Sequence, residues 1–224
     1  MNANLKQLTP LFQSPVTPDS LFLSLEGIEG SGKSTQIKEI EKYLKERGYR
    51  TLLLREPGGT DFGEKLREAV LTSSVKLHPL AECHLFLASR AQLLQEKILP
   101  FLLEPKSVVI LDRYMDSTLS YQGKARRLGM ETILTLHQHH PLNLIPHRTY
   151  FLDISLETSM LRQAKRGQEK DYFESQQAEF YLNLIDGYRE VAHLFPERIL
   201  KIDAEESEFL VTKTILDDLK RRLP

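Results

Sequence analysis

Eight consecutive residues, Gly27-Ile28-Glu29-Gly30-Ser31-Gly32-Lys33-Ser34, fit the pattern G-x-x-x-x-G-K-[ST]. Glycines let successive backbone N–H groups turn inward around phosphate oxygens, and a following helix N-terminus adds positive potential. In such a loop Lys33 sets its ammonium on β- and γ-phosphates and Ser34 ligates Mg²⁺, with Thr35 in the same nucleotide-binding segment. A second acidic element is Asp112, which ends the apolar run Val108–Leu111. Read alone, a strand-end aspartate would cap the next helix. Beside a phosphate loop, and followed by Arg113, it is expected in the shell of the Mg²⁺ that accompanies a nucleoside triphosphate.

These groups need a frame, and the pattern of apolar residues predicts one. Leu21–Glu26 is short, apolar and followed by glycines, as a buried parallel strand should be. Ile37, Ile40, Tyr43 and Leu44 then recur at helical spacing until Gly48. Further strands are expected at 51–55, 108–111, 148–154 and 199–202, and helices at 61–71, at 80–103 before the Glu104-Pro105 break, and near 208–219. This alternation predicts an α/β fold in three layers, a five-stranded parallel sheet covered by helices on both faces. No linker or repeat divides the chain, so one domain is expected over 20–224. Its active site should lie at the carboxyl ends of the strands.

Composition bounds the partners. Lys plus Arg number 30 against 31 Asp plus Glu, a formal net charge of −1, which argues against broad electrostatic binding to nucleic acid or to an acidic membrane. The one cysteine, Cys83, excludes an internal disulfide framework and suits a reducing cytoplasm; its apolar neighbours suggest a packing thiol. No apolar run reaches the ~20 residues that span a bilayer. Pro10, Pro15 and Pro18 suggest that 1–19 is a poorly ordered leader rather than a signal peptide.

Three more segments narrow the reading: Arg55-Glu56-Pro57-Gly58-Gly59-Thr60, Leu85 to Gln92, and Asp112-Arg113-Tyr114 with Ser117-Thr118 and Tyr121-Gln122-Gly123. With the phosphate loop, in this order, they closely resemble bacterial thymidylate kinases from about Leu21 to the C-terminal helix. The resemblance implies a P-loop kinase fold with a small lid, and ATP- and Mg²⁺-dependent transfer of the γ-phosphoryl group to dTMP, giving dTDP for dTTP synthesis. It also implies a homodimer.

Residue roles follow from the same resemblance. Arg55 and Arg113 match the arginines of the acceptor phosphate, and paired guanidinium forks suit a dianion. Phe86 matches the aromatic that stacks on thymine, and Arg90, one helical turn on, the arginine at the base edge. Glu29 matches a carboxylate near the 3′-hydroxyl, Tyr121 the aromatic that crowds the 2′ position, and Ser117, Thr118 and Gln122 the base-pocket lining. Pro57 matches a proline the family often holds cis. Where the family commonly has Asp, this chain has Ser89.

Phosphoryl transfer also needs positive charge on the migrating group. The phosphate loop contains no arginine, and the bacterial pattern puts basic residues in a lid, expected here at about 162–175. Arg162, Lys165, Arg166 and Lys170 cluster there before Asp171 and Glu174, with Gly167 to give freedom. Arg166, then Arg162, is the expected catalytic charge, beside Lys33 and Arg113.

Other readings remain to be separated. A kinase for another nucleotide or deoxynucleoside would share the loop but not the acceptor pocket. A guanine-nucleotide switch would carry N-K-x-D and D-x-x-G, and neither string occurs. An inactive nucleotide-binding module would have lost the acceptor arginines. His137, His139 and His140 suggest an exposed helix end rather than a metal site.

Overall fold

The computed structural model of the chain describes residues 3–17, 19–73, 75–166 and 178–223, without the side chains of Ala3, Asn4, Lys6 and Arg166. The five apolar runs form strands β1 (Leu21–Glu26), β2 (Arg50–Arg55), β3 (Ser107–Asp112), β4 (Arg148–Asp153) and β5 (Ile199–Asp203). All pairings are parallel, in the order β2-β3-β1-β4-β5. The helices are α1 (Ala3–Leu8), α2 (Lys33–Lys45), α3 (Asp61–Leu71), α4 (Pro79–Leu93), α5 (Leu99–Leu102), α6 (Met115–Thr118), α7 (Met130–Leu136), α8 (Leu156–Arg166), α9 (Ala178–Leu194) and α10 (Glu208–Arg222). Central strands β1, β3 and β4 are buried almost throughout, so both sheet faces are covered.

The chain runs from β1 outward to β2, returns to β3 beside β1, and then crosses to β4 on the other flank. Strand order therefore reverses between β1 and β3, where a doubly wound sheet opens a crevice. Leu25 pairs with Asp112 in that register, so the segments leaving the two strands start side by side.

Local chemistry fixes the helix starts. Thr60 Oγ1 accepts from Gly63 N at 3.0 Å to cap α3, and Pro79 opens α4, where its missing N–H costs nothing. The single helix expected over 80–103 is interrupted by a π turn at Leu94–Ile98 before α5. Pro100 gives the reason: it lacks an N–H and its ring would collide with the Glu96 carbonyl in a regular α turn.

The leader differs from expectation. Instead of a loosely ordered tail, α1 packs against α7 with Leu5 buried, and Phe12 meets Phe195 edge-on at 6.3 Å. Gln13 bridges to Leu144, and Ser14 Oγ donates to the Pro146 carbonyl at 3.2 Å. The Pro15 carbonyl lies 2.9 Å from His147 Nε2, and His147 Nδ1 accepts from Phe22 N at 2.9 Å. Prolines kept this segment out of a long helix, but its apolar side chains found partners on the body.

Candidate active site

Gly27 leaves β1 with φ +141, and a Cβ there would lie 2.6 Å from the Leu152 carbonyl, so no side chain fits. The loop turns back to open α2, and Lys33 folds over it: Nζ donates to the Gly27 carbonyl at 3.0 Å and the Ile28 carbonyl at 3.3 Å. Burial, then the charge of Arg113, pulls the Lys33 ammonium down to about 8, against the pull of Asp112, Glu29 and Glu26. An ammonium held only by carbonyls and weakened in this way gains from a phosphate oxygen. Ser34 and Asp112 line the same cleft as Lys33, a space of about 750 Å³.

Arg55 and Arg67 line this cleft too. Arg55 is mostly exposed and pairs with Glu64 at 3.0 Å. Arg113 takes the left-handed conformation, φ +72, which swings its side chain across the loop. Its Nη1 donates to the Gly27 carbonyl and to Tyr188 Oη, both at 2.9 Å, and its Nη2 donates to Glu29 Oε1. Tyr121 Oη donates to the same carboxylate at 3.1 Å. Burial opposes the Glu29 carboxylate, but Arg113 and then Lys33 outweigh it and hold its pKa below the ordinary range.

A second cleft of about 650 Å³ adjoins the first and shares Glu29, Glu56, Arg67 and Arg113 with it. Pro57, Phe86, Arg90, Ser117, Thr118, Tyr121 and Gln122 line it, so the expected acceptor residues are brought together, with Arg55 confined to the phosphate side. The Glu56–Pro57 peptide is cis. Phe86 gives an apolar wall one turn before Arg90. Arg90 is buried: Nε donates to Glu56 Oε2 at 2.7 Å, Nη2 to Thr118 Oγ1 at 3.0 Å, and the guanidinium lies over the Tyr114 ring. Gln122 Nε2 donates to the buried Glu82 at 2.7 Å. Ser89 faces away from the cleft, its Oγ accepting from Gly58 N at 3.2 Å, and so steadies the turn after Pro57.

Behind these groups, Ser117 Oγ bridges Glu26 Oε2 at 2.7 Å and Tyr188 Oη at 2.8 Å. Burial and then Asp116 push the Glu26 carboxyl up to about 8, against Ser117, Arg113 and the Tyr114 N–H. The structure also moves one histidine: His137, expected at an exposed helix end, is fully buried, while His139 and His140 are exposed. Its ring lies between Arg90 and the Ile133 carbonyl. Cys83 is buried, and its thiol is pushed up to about 11 by that burial.

On the far side of the phosphate loop, Arg162 Nη1 donates to the Gly30 carbonyl at 3.1 Å and Nη2 to the Ala204 carbonyl at 3.0 Å. Arg162 and Lys165 line a third cleft of about 820 Å³ with Ser31, Thr35 and Gln36. Arg166 ends α8, and its side chain lies outside the described residues, as do Gly167, Lys170, Asp171 and Glu174.

Sequence reasoning gave Arg67, Glu26, Glu56 and Tyr188 no role of their own and put His137 at an exposed helix end. Arg67 left a readable signal, since it sits two turns into α3 on the side facing Pro57, whose carbonyl accepts from it at 3.1 Å. Tyr188 and His137 left none, because they arrive from distant helices.

A parallel sheet with a phosphate loop at its switch point, beside an arginine-rich acceptor cleft, defines a P-loop phosphotransferase. The thymidylate kinase family model matches residues 25–215. The thymidylate kinase of Thermoanaerobacter sp. (strain X514) is 42% identical over 202 residues, covering 90% of this chain and 98% of the relative; that of Chlorobaculum tepidum is 38% identical, covering 89% and 96%. The crystal structure of thymidylate kinase from Ehrlichia chaffeensis superposes with a TM-score of 0.70 at 30% identity, covering 91% of this chain and 99% of that one. The chain belongs to the thymidylate kinase family: it is a kinase, with ATP as phosphoryl donor and dTMP as acceptor.

Proposed function

We propose that the adjoining clefts hold ATP and dTMP end to end, with the γ-phosphate meeting the acceptor phosphate where the clefts join. The observation that carries this reading is the shared lining. Glu29, Arg67 and Arg113 face both spaces, so one set of charged groups serves both phosphates.

Residues Gly27–Thr35 wrap the triphosphate, and Lys33 releases its carbonyls for the β- and γ-phosphates. Arg55, Arg67 and Arg113 take the dTMP phosphate. Phe86 stacks on the base, Arg90 donates to its edge, and Gln122, whose Nε2 is given to Glu82, keeps its carbonyl oxygen as an acceptor. Pro57, Ser117 and Thr118 shape the pocket; Glu29 accepts from the 3′-hydroxyl, and Tyr121 fills the space a 2′-hydroxyl would need. The attacking phosphate oxygen is already anionic, so no strong general base is required, and catalysis is positioning and charge stabilisation. Lys33 and Arg113 supply the charge among the described side chains, with Arg162 bracing the loop; Arg166 stands at the end of α8 as the further candidate.

Mg²⁺ fits the donor set. Ser34 opens α2, and Asp112 Oδ1 is buried with no hydrogen-bond partner among the described residues, in the cleft that holds Lys33. Bound there, the ion would neutralise charge on the triphosphate oxygens.

A homodimer is supported by the family resemblance, with Phe62 of α3 and Leu80 of α4 as apolar groups left exposed on neighbouring helices. A cytoplasmic location is supported by the unpaired, buried Cys83. Among the described residues, no helix is long and apolar enough to cross a membrane.

The test is ADP release with ATP and Mg²⁺ and a panel of acceptors: dTMP, dUMP, dCMP, dGMP and thymidine. Strong turnover with dTMP, less with dUMP and none with thymidine is expected. Preference for another monophosphate would mean that Phe86 and Arg90 are misassigned; turnover of thymidine would overturn the phosphate role of the arginines.

A further inference from the structure

Arg90 carries five N–H groups, and four are engaged within the protein. Nε and one Nη2 hydrogen go to Glu56 Oε2, the other Nη2 hydrogen goes to Thr118 Oγ1, and one Nη1 hydrogen goes to His137 Nε2 at 2.6 Å. These partners come from the loop after β2, from α6 and from the end of α7, while Tyr114 supports one face of the guanidinium at 4.9 Å. The fork is thus fixed in plane and tilt, and a single Nη1 hydrogen is left to meet a ligand in the cleft that Arg90 lines.

The orientation of His137 is itself determined. Its Nδ1 lies 2.7 Å from the Ile133 carbonyl, a group that only accepts, so Nδ1 carries the proton and Nε2 presents a lone pair to Arg90. Burial, then the neighbouring Arg90 charge, holds the ring down to about 3, against the Ile133 hydrogen bond. A neutral ring in this tautomer is an acceptor and nothing else toward the guanidinium.

We propose that His137 is a positioning residue for base selection. By accepting one Nη1 hydrogen of Arg90, it aims the remaining one at the exocyclic position of the pyrimidine. A base with a carbonyl there, as in thymine or uracil, is accepted; one with an amine there, as in cytosine, places donor against donor and is refused. This rests on the reading of Arg90 as the residue at the base edge.

The test compares wild type with His137→Leu, His137→Gln and Arg90→Met, measuring kcat and KM for dTMP and dCMP, KM for ATP, and Tm. His137→Leu should raise KM for dTMP about tenfold and lower the dTMP-to-dCMP ratio of kcat/KM by a similar factor, with KM for ATP unmoved. His137→Gln, which keeps an acceptor, should restore most of the ratio even if Tm falls. If both variants lower Tm yet keep the wild-type ratio, His137 is only a core filler and the proposal fails. Should His137→Leu not fold, His137→Asn, polar but too short to reach Arg90, takes its place. Arg90→Met separates the two levels. A ratio that survives it overturns the base-edge reading, whereas one that collapses there and persists in His137→Leu overturns this inference alone.

Discussion

Glu29 and Arg113 close the acceptor side on itself: the guanidinium crosses from the end of β3 to the carboxylate inside the phosphate loop. The pair is partly buried, so each group lowers the cost of the other's burial. On the proposed reading a dianionic phosphate would compete with Glu29 for Arg113, coupling acceptor binding to release of the carboxylate toward the sugar.

Glu29→Gln keeps the shape of the side chain and removes its charge. We expect kcat/KM for dTMP to fall about 30-fold, and for 3′-deoxythymidine monophosphate to fall much less. Equal losses for both would make Glu29 a counter-ion for Arg113 with no hand in reading the sugar.

If Asp112 is linked to the metal as proposed, Asp112→Asn should raise the Mg²⁺ concentration for half-maximal activity about tenfold at fixed ATP, since the carboxylate becomes a neutral amide. A Mg²⁺ titration that overlays wild type would take Asp112 out of the ion's shell.

Glu26 gives a pH signature. Its folded pKa, about 8, lies above the ordinary carboxyl value of 4.5, so the folded state holds a proton that the unfolded state has lost between those limits. Its contribution is fully present below pH 4.5 and is lost as pH rises through 8. Glu26→Gln, a mimic of the protonated form that can still accept from Tyr114 N, should therefore gain Tm on wild type from pH 5 to about 8 and level off above it. A constant difference across that range would show that Glu26 is ionised throughout.

Removal of residues 1–17 should cost about 2–4 kcal/mol, because Leu5 and Phe12 lose their burial and His147 loses its Pro15 partner. For a chain of this size Tm should drop about 5–10 °C. An unchanged Tm would mean that the leader adds nothing to the body it covers.

The sheet was legible because all five strands are apolar runs with turn residues behind them, and the phosphate loop because its chemistry is contiguous in sequence. Phe86 and Arg90 were legible through the family resemblance of their segment, and their helical spacing added only that both lie on one helix face. What escaped depends on meetings between distant segments. Nothing near His137 in sequence announces Arg90, 47 positions away, and nothing near Tyr188 announces Arg113. The prolines of the first twenty residues report local stiffness, whereas the packing of Leu5 and Phe12 depends on apolar partners far along the chain. The break in the helix after Leu93 has a local signal in Pro100, which cannot continue a regular α turn.

The left-handed turn at Arg113 has a wider consequence. One kink sends three neighbours three ways: Asp112 into the cleft that holds Lys33, Arg113 across to Glu29, and Tyr114 beneath the buried guanidinium of Arg90. The two adjoining clefts are thus wired to a single backbone joint. No one of the three can drift without dragging the other two, so this corner of the enzyme must be inherited, or redesigned, as a unit.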